Sequence, residues 1–359
     1  MKIPYANLYA EYEECKTDID SAIKNCISKS NFINGEAVKT FETEWAKYTN
    51  SEDCSGTSSG TSALFLSLVS LGVGIGDEVI VPSMSFMSTA EVVSQVGATP
   101  IFVDIDDYYT IDIDAVAHAI TNKTKAIIFV DLYGQTIDIE KLVKVSNNIP
   151  LIRDAAQSAG CYNLKSDINK YVYATCYSFY PGKNLSAMGD AGAVCGSIEV
   201  CNKIRYYRDH ARTEKYVHTG IGYNERLDAI QAAIVTAKIP YLSRWNSLRD
   251  KNAKYYLDNL NGSNIILPKT NPNSNHVWNQ FVIQFNSRNM LKKYLSEYGI
   301  ETGLQFPVPL HKQPVYNKSF SLPKSEDLAN NCLSLPVFAH MKLEDCEYIV
   351  NCIWNYNIS

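Results

Sequence analysis

The 359-residue chain contains no Cys-x-x-Cys pair, and its ten cysteines follow no regular spacing. Several, such as Cys176, Cys195 and Cys332, stand in apolar stretches. A disulfide framework or a cysteine zinc site is thereby excluded, and a reducing, cytoplasmic setting is expected. The histidines His210, His218, His276 and His340 are scattered and offer no metal-ligand spacing, so no metal is expected. No apolar run approaches the length of a membrane span, and Met1-Lys2-Ile3-Pro4-Tyr5-Ala6 lacks the apolar stretch of a secretion signal. Basic charge is short as well. Against 38 Asp and Glu stand 33 Lys and Arg, a net charge of −5, which is not the footprint of a nucleic-acid partner. Internal repeats and low-complexity tracts are absent. A dinucleotide fingerprint is missing too: Gly72-Val73-Gly74-Ile75-Gly76 falls between a helix and a strand, with Asp77 where a last glycine belongs.

What the chain does have is enough apolar residue, 46%, to bury a large core at this length, and two domains are expected. Helical patterns at 37–48, 63–71, 88–96, 112–121 and 138–145 alternate with β-branched runs at 78–81, 100–104, 126–131 and 150–152. Such alternation predicts an α/β fold with a mostly parallel sheet wrapped by helices. After Leu227 long helical stretches follow, with a break or kink expected at Pro240. Beyond a Pro- and Asn-rich loop at 268–274 comes a smaller α+β unit: strand 276–285, helix 289–298, strand 300–305 and a last helix at 343–356. The expected division is residues 1–240 and 241–359.

Lys183 stands in Ser178-Phe179-Tyr180-Pro181-Gly182-Lys183-Asn184-Leu185, after an apolar β-rich run. A lysine at a buried strand end loses hydration, which lowers its pKa and frees the amine to form a Schiff base with a carbonyl. Upstream, Asp154 leaves the short apolar run 149–152 at the edge where parallel sheets present their binding groups. Gln157 follows three residues later. A carboxylate there can hold a protonated ring nitrogen, and the amide can bond a phenolic oxygen. Ser58-Ser59-Gly60-Thr61-Ser62 opens an apolar helix, so Gly60, the hydroxyls of Thr61 and Ser62 and the first-turn amides can cradle a phosphate. Ser178 is a further phosphate candidate. A lysine, an acid, an amide and a cradle are the set that pyridoxal 5'-phosphate needs. Each alone has an ordinary reading, as a surface lysine or a helix cap.

With these strings on the page, the chain resembles the sugar aminotransferases of the DegT/DnrJ/EryC1/StrS group, of the type I aminotransferase fold. The likeness runs over nearly the whole length. It includes Phe32-Ile33-Asn34-Gly35, Gly60-Thr61-Ser62-Ala63-Leu64, Gly76-Asp77-Glu78-Val79-Ile80-Val81-Pro82-Ser83, Asp154-Ala155-Ala156-Gln157, the Lys183 string, Gly222-Tyr223-Asn224-Glu225-Arg226-Leu227-Asp228 and Pro307-Val308-Pro309-Leu310-His311.

The resemblance implies that Lys183 and Asp154 are catalytic, Lys183 as Schiff-base lysine and proton shuttle, Asp154 as partner of the pyridinium nitrogen. It implies that Gln157 meets the phenolic oxygen, that Thr61, Ser62 and Ser178 hold the phosphate, and that Phe86 stacks on the ring. Asn224 would reach the phosphate of a neighbouring subunit, in a homodimer with shared active sites. His311 would lie near the sugar. Arg153 departs from the acidic residue usual before the Asp, and the sequence leaves open whether it faces Asp154. The implied reaction moves an amine from L-glutamate to a nucleotide-linked ketosugar. The strings at 180–192 and 307–314 are most similar to members that act at C3 of a dTDP-3-keto-6-deoxyhexose. Amination at C4 of a dTDP- or UDP-4-keto sugar is the alternative. A same-fold dehydratase would carry histidine in place of Lys183, and a non-catalytic regulatory relative would be expected to lose Lys183 or Asp154.

Overall fold

The computed structural model describes residues 2–358. Its centre is a seven-stranded sheet of β1 (Asp53–Thr57), β2 (Glu78–Pro82), β3 (Thr99–Val103), β4 (Thr124–Val130), β5 (Leu151–Asp154), β6 (Ala174–Ser178) and β7 (Gly192–Gly196). Their spatial order is β1-β7-β6-β5-β4-β2-β3. Only β7 runs against its neighbours β1 and β6; the remaining pairs are parallel. The C-terminal ends of β1, β2, β4, β5 and β6 therefore open on one edge, where open α/β sheets bind ligands.

Helices α1 (Leu8–Lys29), α2 (Gly35–Tyr48), α3 (Gly60–Ser70), α4 (Ser88–Gln95), α5 (Ile113–Ala119), α6 (Ile139–Ser146), α7 (Ile198–Tyr207) and α8 (Ala229–Asn259) surround the sheet. Side chains alternate between its faces. On β4, Ala126 and Ile128 join the core formed with Leu64, Leu66 and Val79, whereas Ile127 and Phe129 join the core formed with Leu142 and Leu151.

A small hairpin of β8 (Arg212–Glu214) and β9 (Val217–His218) follows α7. The last third holds β10 (Phe281–Gln284) paired with β11 (Cys332–Leu335), together with α9 (Arg288–Glu297), α10 (Pro323–Asn331) and α11 (Leu343–Ile358). Its core takes in Trp278, Phe281, Leu291 and Ile349, and also Ile3, which bridges to Ile300.

Three expectations change here. Pro240 lies inside α8, and no element ends at residue 240. Run 276–285 forms a strand only at its end, because Trp278 adopts φ +47° and its backbone N–H donates to His276 Nδ1. Residues 300–305 make isolated bridges at Ile300 and Gly303 instead of a strand. Among the described residues no helix is long and apolar enough to cross a membrane, and no cluster of His, Cys, Asp and Glu could hold a metal.

Candidate active site

A cavity of about 720 Å³ opens at the sheet edge just described, within the size range of small-molecule sites. Lys183, Asp154, Gln157, Gly60, Thr61, Phe86 and Ser178 all line it. The loop that carries Lys183 is pinned on both sides. Lys183 N–H donates to Tyr180 O at 3.0 Å, closing a turn through Gly182 at φ +99°. Asn184 donates to Val277 O and to Asn246 Oδ1, each at 2.7 Å, and accepts from Asn279 Nδ2 at 2.9 Å. Burial lowers the Lys183 pKa to about 8, against an opposing pull from Asp154.

Asp154 ends β5 buried, accepting from Ala156 N–H and from Thr89 Oγ1 at 3.1 Å each. Burial raises its pKa, with these two bonds and the Lys183 charge working the other way. Strand alternation sends Arg153 to the opposite face, so the cation next in sequence does not serve Asp154. Arg153 Nη2 instead lies 2.6 Å from Asp131 Oδ2, and its Nε donates to the same oxygen at 2.7 Å. A buried carboxylate on the cavity without a bonded cation fits a protonated ring nitrogen. Gln157 Oε1 accepts Tyr133 N–H at 2.7 Å, and this bond fixes the amide with its nitrogen as the free donor.

The phosphate cradle follows from close backbone approach. A Cβ added at Gly60 would stand 2.7 Å from the Ser178 Cβ, and one at Gly192 would stand 2.3 Å from the Ser59 carbonyl carbon. Glycine at both positions lets the start of α3 settle against the ends of β6 and β7, with its free amides toward the cavity. Ser59 caps α3, accepting Ser62 N–H, and lines the cavity, as does Ser88, whose hydroxyl is 2.6 Å from that of Thr61. The residues thus fit the cofactor at its ring nitrogen, phenolic oxygen, phosphate and aldehyde. Phe86 stands exposed on the cavity, its ring centroid 6.2 Å from that of Phe306.

Three expected residues do not join this cavity. Ser62 is buried with its hydroxyl turned to Glu225 Oε2 at 2.5 Å and to Ser58 Oγ at 2.7 Å. Asn224 is exposed and lies outside the cavity lining, its backbone bridged to Asp209. His311 is fully buried away from the cavity, with Nδ1 2.5 Å from Ser83 Oγ and Nε2 3.0 Å from Glu326 Oε1. Both ring nitrogens are engaged, and the ring stacks on Phe320, so it fastens the 307–320 segment to the end of β2. The cavity also gathers residues to which the sequence assigns no role in the site: Ser59, Ser88, Tyr5, Gln280, Gln305 and Arg249. A Ser before Gly60 was a visible cap signal. The others come from distant segments with no local signature.

A model of the DegT/DnrJ/EryC1/StrS aminotransferase family matches residues 13–354. A "pleiotropic regulatory protein" of Geobacillus stearothermophilus is 39% identical, over 98% of this chain and 97% of its own length. The dTDP-3-amino-3,6-dideoxy-alpha-D-galactopyranose transaminase of Aneurinibacillus thermoaerophilus is 35% identical over 99% of each chain. Other relatives are named for UDP-N-acetyl-3-dehydro-alpha-D-glucosamine and for 3-oxo-glucose-6-phosphate with glutamate. The crystal structure of DesV from S. venezuelae superposes with a TM-score of 0.96 at 34% identity, over 100% of this chain and 99% of that one.

Proposed function

This chain belongs to the DegT/DnrJ/EryC1/StrS aminotransferase family and is a pyridoxal-phosphate-dependent sugar aminotransferase; on that premise we propose that it aminates C3 of a dTDP-linked 3-keto-6-deoxyhexose with L-glutamate as donor. The observation that carries the chemistry is the shared cavity of Lys183 and Asp154, an amine with its pKa lowered to about 8 facing a buried, cation-free carboxylate.

The cofactor supplies an aldehyde for the incoming amine and a ring that takes up electrons as the Cα–H bond breaks. Lys183 would hold the cofactor at its aldehyde, and its amine, with the pKa lowered to about 8, would be the group placed to take up and give back a proton there. Asp154 keeps the ring nitrogen protonated, and Gln157 donates to the phenolic oxygen. Gly60, Thr61, Ser59 and Ser178 would hold the phosphate, and Phe86, exposed on the cavity, would pack against the ring. Ser62 supports this cradle from behind through Glu225.

The C3 reading is supported by the names of relatives that cover almost the whole chain, and by glutamate in one of those names. Tyr5, Gln280 and Gln305 give the cavity a polar side suited to sugar hydroxyls, while Leu335, Val337 and Phe338 give it an apolar one. The working unit is a homodimer, in which exposed Asn224 reaches the partner's cradle. The cofactor domain and the smaller domain are joined through α8, which runs past residue 240. Ten buried, unpaired cysteines suit a reducing cytoplasm.

Incubating the cofactor-loaded enzyme with glutamate and either the 3-keto or the 4-keto dTDP-6-deoxyhexose tests the substrate. The 3-keto sugar should show the higher kcat/KM. Preference for the 4-keto sugar would overturn the regiochemistry while leaving the aminotransferase chemistry in place.

A further inference from the structure

Arg249, on α8, is only 5% exposed, and it forms part of the cavity wall. A guanidinium carries five N–H donors, and this one has almost nothing to donate to. Its Nη1 lies 3.5 Å from Trp278 O and its Nη2 lies 3.8 Å from Glu11 Oε1. Its Nε has no partner among the described residues. A buried charge so thinly bonded is costly until an anion completes it. Burial also pulls its pKa below the ordinary arginine value, although Glu11 opposes this.

The neighbouring charges leave room for one more anion. Lys238 is satisfied by Ser186 O at 2.9 Å, Ser186 Oγ at 2.7 Å and Glu11 Oε2 at 3.5 Å. Glu14 is taken by Arg244, by Trp245 Nε1 at 2.9 Å and by His340 Nε2 at 2.7 Å. Asp250 is held by Lys254 at 2.6 Å and by Trp278 Nε1 at 3.1 Å. Glu11 is thus the single carboxylate between Lys238 and Arg249, and it cannot neutralise both.

The position selects the anion. Trp278, whose carbonyl Arg249 touches, is followed by Asn279, and Asn279 Nδ2 donates to Gly182 O at 3.5 Å and Asn184 Oδ1 at 2.9 Å on either side of Lys183. An amino acid carries its carboxylate on the same carbon as the reacting amine. A sugar nucleotide keeps its diphosphate a ring's width from the reacting carbonyl. A planar carboxylate also matches the guanidinium fork. We propose that Arg249 receives a carboxylate of the amino-acid donor, holding it while its amine meets the centre at Lys183.

This rests on glutamate being the donor, so the test separates the two readings. Each half-reaction is followed by the cofactor absorbance of the holoenzyme: glutamate converting the aldehyde form, and the sugar nucleotide converting the amine form. Arg249→Met leaves Glu11 paired with Lys238, and Arg249→Lys keeps the charge but loses the fork. Both variants should need roughly 10- to 100-fold more glutamate for half-maximal conversion, with the smaller loss in Arg249→Lys. The sugar half-reaction should change by less than about a quarter of that factor. Unchanged glutamate dependence would overturn the proposal. A sugar half-reaction weakened as much as the glutamate one would overturn it too, by assigning Arg249 to a phosphate. A parental enzyme that ignored glutamate would instead contradict the donor reading before Arg249 is altered.

Discussion

Lys183 and Asp154 pull one another in opposite senses, and the balance sets how the site titrates. Burial disfavours the ammonium of Lys183 more than Asp154 favours it, so its pKa falls from 10.5 to about 8. Only the neutral amine attacks an aldehyde. Capture of pyridoxal phosphate by the cofactor-free chain should therefore speed up about tenfold per pH unit below pH 8 and level off above it. A rate still climbing past pH 10 would mean an ordinary surface lysine. These two residues are legible in the sequence because each stands in a string with chemical meaning, Asp154 at the end of β5 and Lys183 in the turn that follows β6. His311 is placed near the sugar by the resemblance alone, and in the fold Ser83 and Glu326 close over it. Arg249 could not be read at all. Nothing in a long helical stretch marks an arginine that must share its only carboxylate, Glu11, with Lys238.

Among the elements, β5 decides most. Its four residues put Asp154 on the cavity and Arg153 on the opposite face, against Asp131, with both members of that ion pair essentially inaccessible. Removing one partner strands a buried charge, which costs about 3–5 kcal/mol. Arg153→Gln should lower the unfolding free energy from denaturant titration by an amount of that order, and the double change Arg153→Gln with Asp131→Asn should recover much of it. A double variant destabilised by the full sum of the two single changes would show that the pair is not coupled. The alternation of helix and strand up to β5 was legible because branched apolar runs and amphipathic helices differ in period. Strands β1 and β7 were not, since Asp53-Cys54-Ser55-Gly56-Thr57 and Gly192-Ala193-Val194-Cys195-Gly196 are too small-sided to carry an apolar signal. Smallness at Gly192 lets the start of α3 lie against β7, and at Gly56 it makes room for Leu227 on β1.

At the scale of the whole molecule, the cradle formed by α3, β6 and β7 lacks Asn224, which sits exposed beyond it. If a partner subunit supplies this residue, Lys183→Ala and Asn224→Ala chains, each impaired alone, should regain activity when mixed and allowed to exchange. One site of each heterodimer then holds both intact residues. Full activity of Asn224→Ala alone, or a monomer in solution, would remove the basis for shared sites. The central claim, that this cavity does its chemistry through Lys183, is tested most directly by reducing the cofactor-loaded enzyme with borohydride and mapping the modified peptide by mass. The yellow colour should be lost and a single adduct should appear on Lys183, absent in Lys183→Ala. An adduct on another lysine, such as Lys238, or no adduct at all, would contradict it.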